Sequence, residues 1–242
     1  MPTSISALPA LIGHADVIKQ LETLLAAGRL PHALLLHGPR GMGKRVLANQ
    51  LAWRLIAGGQ GMQVNQNSPA YHQLAAGSNP DFHVLEVEEK AKSIKIKQVR
   101  ELLGNLLRTA DTQRVVIVDS VDDLTDESPH VLLKTLEEPR PGLTFILISH
   151  GLGNVLPTIR SRSRLVRVGT LSATEQMLVR AANPSYAPPP EDDLVTLMHQ
   201  LATNPTPENA MAYQKIATLR ARQSSMNLPA ALAAEAGRLL VK

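Results

Sequence analysis

The chain of 242 residues contains no cysteine, and this absence excludes disulfides, thiolate-bound zinc and cysteine nucleophiles. Aromatic residues make up only 2% of the chain, so its core must be built from Leu, Ile, Val and Ala. That composition suits helices packed on a parallel sheet better than a β-sandwich. No run approaches the roughly 20 apolar residues that span a membrane, and the first residues lack the pattern of a signal peptide. We therefore expect a cytoplasmic protein without a membrane partner.

Excess charge is also scarce, since the formal net charge is only +4. Residues 1–150 carry equal numbers of basic and acidic side chains, so the basic excess lies in residues 151–242. Part of this excess is concentrated in "RSRSRLVR" at residues 160–167. A broad basic surface for nucleic acid is therefore not predicted, whereas a local basic cluster is.

Short apolar runs alternate with helical patterns along the first 170 residues. The runs that are typical of strands are "HALLLHG" (32–38), "FHVLEVE" (82–88), "RVVIVDS" (114–120), "LTFILIS" (143–149) and "RLVRVG" (164–169). Such alternation predicts an α/β fold with a parallel sheet covered by helices on both faces. Residues 58–80 are polar and are interpreted as an irregular insertion. Because the later pattern is helical, we predict an α/β domain over residues 1–170 and a small all-α domain over 171–242.

The segment "GPRGMGKR" (38–45) follows the first predicted strand and matches the phosphate-binding pattern G-x-x-x-x-G-K-[ST] except at its last position. Gly38, Gly41 and Gly43 would let backbone N–H groups turn toward phosphate oxygens, and Lys44 would reach the outer phosphates. Arg45 replaces the Ser or Thr whose hydroxyl binds magnesium, and a guanidinium cannot bind a metal. The pattern predicts descent from a nucleotide-binding loop and leaves open whether ATP or ADP still binds.

The strand at residues 114–120 reaches a carboxylate at Asp119, the position from which ATPases of this kind support their metal. The members of this large ATPase class that hydrolyse ATP carry a Glu at the next position to activate water, but Ser120 stands there in this chain. A serine hydroxyl without an adjacent base is a poor general base near neutral pH. The changes at Arg45 and Ser120 alter two separate parts of the site, and together they predict that the chain does not hydrolyse ATP.

Four further polar residues carry a weaker signal, and two of them have two interpretations. Ser149 ends a predicted strand and could either sense a γ-phosphate or simply close the strand. Asp122 and Asp123 are interpreted as solvated residues at the entry of a helix. Arg162 lies in "PTIRSRSR" (157–164), which we interpret as a loop before a strand. An arginine placed in this way could serve the nucleotide of a neighbouring subunit, or it could belong to a solvated basic loop.

Several segments resemble, in the same order, those of delta-prime subunits of bacterial DNA polymerase III clamp loaders, which belong to the AAA+ class. The segments are "LIGH", "RLPHALLLHGPRGMGK", "IKIKQVREL", "VVIVDSVDDL", "LLKTLEEPRPGLTFILIS" and "LPTIRSRSR". The resemblance covers roughly residues 10–170. Gamma and tau subunits share much of it, but the altered phosphate loop and the missing glutamate favour delta-prime.

The resemblance implies an AAA+ phosphate-loop domain followed by a helical lid. It also implies a place in a ring with gamma/tau and delta subunits, which loads the sliding clamp onto primer-template DNA within the DNA-directed DNA polymerase holoenzyme. By this resemblance Arg162 would be an arginine finger that acts in trans on a gamma/tau site. Gly38, Gly43, Lys44 and Asp119 would be inherited from an active nucleotide site.

The chain departs from the family pattern at several places. Ser163 replaces a cysteine beside Arg162, and residues 58–80 lack the cysteines that bind zinc in relatives, so no zinc is expected. Asn209 stands at the position that best matches a lid sensor arginine. A C-terminal collar domain is expected to be missing or truncated. The alternatives are an active gamma/tau-like ATPase and a truncated paralogue outside the complex.

Overall fold

A computed structural model of the chain describes residues 8–88, 91–106, 113–125, 127–183, 186, 211, 214 and 215. The chain divides into two compact units, Met1–Ala187 and Pro188–Lys242. The predicted boundary near residue 170 and the helical domain after it stay predictions, because most of residues 184–242 lie outside the described part. Asn209 lies outside it as well.

The described elements alternate between strands and helices, as the sequence predicts. The strands are β1 (Ala33–His37), β2 (Gly59–Gln60), β3 (Gln63–Val64), β4 (Phe82–Glu86), β5 (Arg114–Asp119), β6 (Leu143–Ser149) and β7 (Arg164–Arg167). The helices are α1 (Ala15–Ala26), α2 (Lys44–Ala57), α3 (Pro69–Ala75), α4 (Ile96–Leu106), α5 (Ser128–Glu137), α6 (Pro157–Arg162) and α7 (Ala173–Ala182). Among the described residues, no helix is long and apolar enough to cross a membrane.

Five strands form one sheet in the order β4-β5-β6-β1-β7, and every pairing in it is parallel. The predicted parallel sheet is therefore confirmed. Register places Glu86 beside Asp119, and His37 beside Ser149. Since parallel strands end at the same edge of a sheet, these polar strand ends gather at one edge together with the loop that follows β1.

Both faces of the sheet are covered, and alternate residues of each strand serve the two cores. Leu34, Leu36 and Ile117 pack with α1, α2 and α3 on one face. Leu35 and Val118 pack with α4, α5 and α6 on the other face. Each fully buried side chain of this size contributes about 1.5–3 kcal/mol, so the two cores hold the polar edge rigidly.

Two predictions about local structure are wrong. The insertion at residues 58–80 is not irregular, because it contains the hairpin of β2 and β3 and the helix α3. Ser68 caps that helix by accepting a hydrogen bond from the backbone of Tyr71, and Pro69 begins it. Residues 157–164 are not a loop, because Pro157–Arg162 form α6. This helix has only six residues, too few for a helical period to appear in the sequence.

Candidate functional site: an altered phosphate loop and a separate arginine

The phosphate loop connects β1 to α2 at the carboxyl edge of the sheet. Gly41 and Gly43 have φ angles of 73° and 76°, a conformation that side-chain-bearing residues rarely adopt. Gly38 must also lack a side chain, since a Cβ there would collide with the backbone carbonyl of Val168. The three predicted glycines therefore shape this loop, and α2 begins directly after Gly43.

Lys44 is turned back onto its own loop. Its Nζ donates hydrogen bonds to the carbonyl oxygens of Gly38 at 2.6 Å and Pro39 at 2.5 Å. The residue is only 3% exposed. Burial lowers the pKa of Lys44 to about 8, although the nearby carboxylates of Asp119 and Asp122 act in the opposite direction. The loop carbonyls thus take the hydrogen bonds that phosphate oxygens would receive from this ammonium.

Arg45 lies between two carboxylates. Its Nη1 donates to Asp119 Oδ2 at 2.8 Å and to Glu86 Oε2 at 3.0 Å, and all three side chains are partly buried. Glu86 was not predicted from the sequence as a site residue. It comes from β4, which pairs with β5, so only the order of strands in the sheet brings it beside Asp119. A fixed positive charge on the chain itself therefore neutralises the acidic strand ends.

These residues do not fit a magnesium site. Mg²⁺ requires oxygen ligands in near-octahedral geometry, but Arg45 offers no oxygen and engages the carboxylates of Asp119 and Glu86. Within the described ranges, no three His, Asp or Glu side chains are grouped so that they could hold a metal ion. The structure therefore supplies a guanidinium where a metal would have to bind.

The ends of β5 and β6 are joined by a network of polar contacts. Asp122 accepts a hydrogen bond from the backbone N–H of His150 at 2.7 Å and lies 3.1 Å from the hydroxyls of Ser120 and Ser149. Asp123 lies 3.0 Å from the Ser120 hydroxyl. Asp122 and Asp123 do lie in a short helical turn and are half-buried, so the prediction that they are solvated residues at the entry of a helix is correct in part. It is wrong in that both carboxylates are bonded within this network. The hydroxyl of Ser149 is fully buried and bonded within this network, which favours the interpretation that it closes the strand.

His150 lies at the same edge and was also missed from the sequence. Burial lowers its pKa, and the positive charges of Lys44 and Arg40 lower it further, so the imidazole is neutral near pH 7. Its Nδ1 is buried without a hydrogen-bond partner in the described part of the chain. The only sequence signal for it is its place directly after β6.

A cavity of about 310 Å³ adjoins the loop and is lined by the N-terminal segment, the loop itself and α7. The "LIGH" segment shapes one of its walls. His14 Nε2 lies 2.7 Å from the carbonyl oxygen of Met42, which ties the segment to the loop. A Cβ on Gly13 would collide with Leu171 and Glu175, so glycine permits the close approach to α7. This packing explains why the segment carries Gly and His at these positions.

Arg162 is positioned by other elements. It is the last residue of α6, and its Nη2 lies 2.8 Å from Glu137 Oε1 at the end of α5. Its Nη1 donates to the carbonyl oxygen of Thr158 at 3.1 Å and to the hydroxyl of Ser161 at 3.2 Å. The Arg162 side chain is 35% exposed, and α6 leads into β7, which is an edge strand of the sheet. Arg162 and Arg45 therefore belong to two different clusters.

A parallel sheet, a phosphate loop between β1 and α2, and a carboxylate at the end of β5 together define a phosphate-loop domain of the α/β class. The family described as DNA polymerase III, delta subunit, matches residues 13–172, and the chain belongs to this family. This match, together with relatives named delta', confirms the resemblance to delta-prime subunits that the sequence motifs predict.

Individual relatives agree with the family match. The chain is 41% identical to DNA polymerase III subunit delta' of Pseudomonas aeruginosa over 139 residues, covering 54% of this chain and 41% of the relative. It is 32% identical to subunit delta' of Escherichia coli K12 over 188 residues, covering 76% of this chain and 51% of the relative. Subunit gamma of Buchnera aphidicola subsp. Schizaphis graminum is 31% identical over 170 residues, covering 67% and 45%. The matches thus span about half or less of these relatives' lengths.

Among solved structures, a DNA polymerase III gamma subunit-related protein of Thermotoga maritima is similar at 21% identity and a TM-score of 0.46. The similarity covers 75% of this chain and 62% of that one.

Proposed function

We propose that the chain acts as a non-hydrolysing, delta-prime-like subunit of a DNA polymerase III clamp loader. In this role it assembles with gamma/tau and delta subunits in the cytoplasm and helps to place the sliding clamp on primer-template DNA. Its family and its relatives named delta' support the role. The observation that carries the non-hydrolysing part is the position of Arg45 between Asp119 and Glu86.

The ion pairs of Arg45 oppose the binding of magnesium with ATP. For the metal to approach Asp119, the guanidinium would have to leave two charge-assisted hydrogen bonds, each worth about 1.5–3 kcal/mol. It would also remain as a second positive charge beside the metal, and like charges at short range repel. Lys44 would in addition have to leave the carbonyls of Gly38 and Pro39 before it could reach a phosphate.

Ser120 gives the site no base to activate water. Its side chain is a hydroxyl beside the carboxylates of Asp122 and Asp123, to which it serves as a hydrogen-bond donor. Asp122 in turn is engaged by the backbone of His150. With its one proton directed at these carboxylates, the Ser120 hydroxyl could accept a hydrogen bond from a water molecule. It would not take the proton of that water, because a serine hydroxyl is a far weaker base than the glutamate carboxylate that it replaces.

Arg162 is proposed as the group that acts on ATP, in trans. Its guanidinium is partly exposed on a short helix that precedes the edge strand β7, and it is bonded to residues of α5 and α6 rather than to this chain's phosphate loop. An arginine that enters a neighbouring nucleotide site stabilises the negative charge of the transition state.

Phosphate release by the purified chain with magnesium and ATP tests the non-hydrolysing role. We expect no release above background, and no difference between the wild type and Lys44→Ala. Turnover at the rates of ordinary AAA+ ATPases that disappears in Lys44→Ala would overturn the proposal and favour a gamma/tau-like motor.

Co-elution on a sizing column tests the assembly role. The chain is mixed with gamma/tau and delta subunits, and we expect a complex containing all of them. A chain that elutes alone at micromolar concentrations would instead favour a paralogue outside the complex.

A further inference from the structure

We propose that Glu137 is a positioning residue for Arg162. Its carboxylate holds the guanidinium in the one orientation from which it reaches the nucleotide of the neighbouring subunit. This inference rests on the proposed trans role of Arg162 and adds a residue on which that role depends.

Contacts at both terminal nitrogens fix the orientation of the guanidinium. Nη2 meets Glu137 Oε1 at 2.8 Å, while Nη1 donates to the Thr158 carbonyl and the Ser161 hydroxyl. A partly exposed arginine samples many rotamers when it lacks such partners. Thr158 and Ser161 belong to the same helical turn as Arg162, so their contacts still allow the guanidinium plane to take several orientations. The carboxylate from α5 selects one of them.

The carboxylate can perform this task because rigid backbone supports it. Leu136, directly before Glu137, is 1% exposed, and its carbonyl oxygen lies 3.1 Å from His32 Nε2. Ile159 of α6 is also 1% exposed and belongs to the same core cluster as Leu136. Core packing therefore fixes the distance between the ends of α5 and α6. Because Glu137 lies at the end of α5, its ion pair holds the guanidinium at a fixed position.

The pair is poorly suited to a purely structural role. Glu137 is 49% exposed and Arg162 is 35% exposed, and exposed ion pairs contribute little to folding stability. A carboxylate in the last turn of a helix is also opposed by the helix dipole. Removal of the Glu137 carboxylate should therefore leave the chain folded while it frees the arginine to adopt other orientations.

The test uses the full chain in a reconstituted clamp-loader complex, with ATP hydrolysis measured over a range of ATP concentrations. We expect Glu137→Ala to lower kcat about fivefold to tenfold with little change in KM, since misplacement of a catalytic group lowers the rate of the chemical step. Glu137→Gln should recover part of the rate, because its amide oxygen still accepts a hydrogen bond. Glu138→Ala is the matched control, because that exposed carboxylate is adjacent in sequence and has no contact with Arg162 among the described residues. Its kcat should equal that of the wild type.

The double variant Glu137→Ala/Arg162→Ala separates positioning from other roles. It should hydrolyse ATP at the same rate as Arg162→Ala alone, because a residue that acts through Arg162 has nothing to position once the guanidinium is removed. If the two losses add, or if Glu137→Ala leaves kcat unchanged or raises it while Arg162→Ala lowers it, the positioning role is overturned and the trans role stands. If Arg162→Ala itself leaves hydrolysis unchanged, the trans role is wrong and the inference is overturned with it.

Discussion

Single side chains decide what the phosphate loop can do. Two basic residues of the loop already have hydrogen-bond partners within the chain. Lys44 donates to loop carbonyls, and Arg45 donates to the carboxylates of Asp119 and Glu86. Lys44 and Arg45 therefore gain little from a phosphate, whereas the third basic residue of the loop, Arg40, is 70% exposed. We propose on this basis that the loop serves as a structural connection that keeps the shape of a nucleotide site.

The ion pairs of Arg45 predict a loss of stability when the guanidinium is removed. We expect Arg45→Thr to lower the free energy of unfolding by about 1–3 kcal/mol near pH 7, because two partly buried carboxylates lose a charge-assisted partner. Added Mg²⁺ should recover part of this loss, since the new hydroxyl and the carboxylates are oxygen ligands. Urea unfolding with and without Mg²⁺ measures both effects.

Arg40→Thr is the matched control for that experiment. Arg40 lies in the same loop, but its side chain is 70% exposed and its carboxylate partner is 4.0 Å away. We expect its loss to change the free energy of unfolding by less than about 0.5 kcal/mol. Equal losses in the two variants, or a loss in Arg45→Thr on which Mg²⁺ has no effect, would contradict the description of this cluster.

Burial of Lys44 predicts a dependence of stability on pH. Its pKa falls from 10.5 to about 8 in the folded chain, so between these values the unfolded chain binds more protons than the folded chain. We therefore expect the contribution of Lys44 to the free energy of unfolding to rise as the pH rises from about 8 to about 10.5, by about 1–3 kcal/mol in total.

The measurement compares wild type with Lys44→Met by urea unfolding at several pH values in that range. The difference in unfolding free energy, wild type minus variant, should increase with pH because other titrating groups cancel in the difference. A difference that stays flat, or that falls with rising pH, would show that Lys44 keeps an ordinary pKa in the folded chain.

The insertion at residues 58–80 has no cysteine to bind a metal, and contacts from neighbouring helices hold it in place. Gln50 and Arg54 of α2 donate hydrogen bonds to the carbonyl oxygens of Met62 and Gly61 in the hairpin, and Glu22 of α1 accepts from the backbone of Met62. These contacts join the hairpin to two helices of the α/β domain. Hydrogen bonds and apolar packing thus supply the support for the insertion in the described structure.

Packing of α3 on α2 predicts the effect of a substitution at Tyr71. Its ring meets Trp53 edge to face, with centroids 5.5 Å apart. We expect Tyr71→Ala to lower the free energy of unfolding by about 2 kcal/mol, through lost apolar burial and the lost aromatic pair. Tyr71→Phe keeps the ring and should change the free energy of unfolding by less than about 0.5 kcal/mol.

The metal chelator EDTA should leave the urea unfolding curve of the wild type unchanged. A shift in that curve would show that a bound metal helps to hold the insertion.

In the molecule as a whole, Arg162 lies apart from the altered loop. We therefore predict that its removal affects ATP hydrolysis by the complex but not assembly of the complex. We expect Arg162→Ala to co-elute with gamma/tau and delta subunits as the wild type does, while ATP hydrolysis by the complex falls at least about tenfold. The melting temperature of the isolated variant should match that of the wild type, because the side chain is partly exposed. A variant that fails to assemble would assign Arg162 to the interface itself rather than to catalysis.

The sequence by itself determined the five strands of the parallel sheet, the altered phosphate loop and the family. Each is encoded locally, in apolar runs, in glycine spacing or in short motifs, so neighbours along the chain suffice to recognise it. The helix at Pro157–Arg162 and the structure of the insertion were missed, because very short elements have no period and depend on packing against α5 or α2.

Only the tertiary structure decided which charged groups meet. Glu86 reaches Arg45 because β4 pairs with β5, and Asp122 turns inward because β6 also lies beside β5. Glu137 reaches Arg162 because the ends of α5 and α6 pack on one core. The order of strands and the packing of helices depend on burial summed over the entire sheet. Local pattern therefore identified Lys44, Arg45, Asp119 and Arg162, while long-range packing selected their partners.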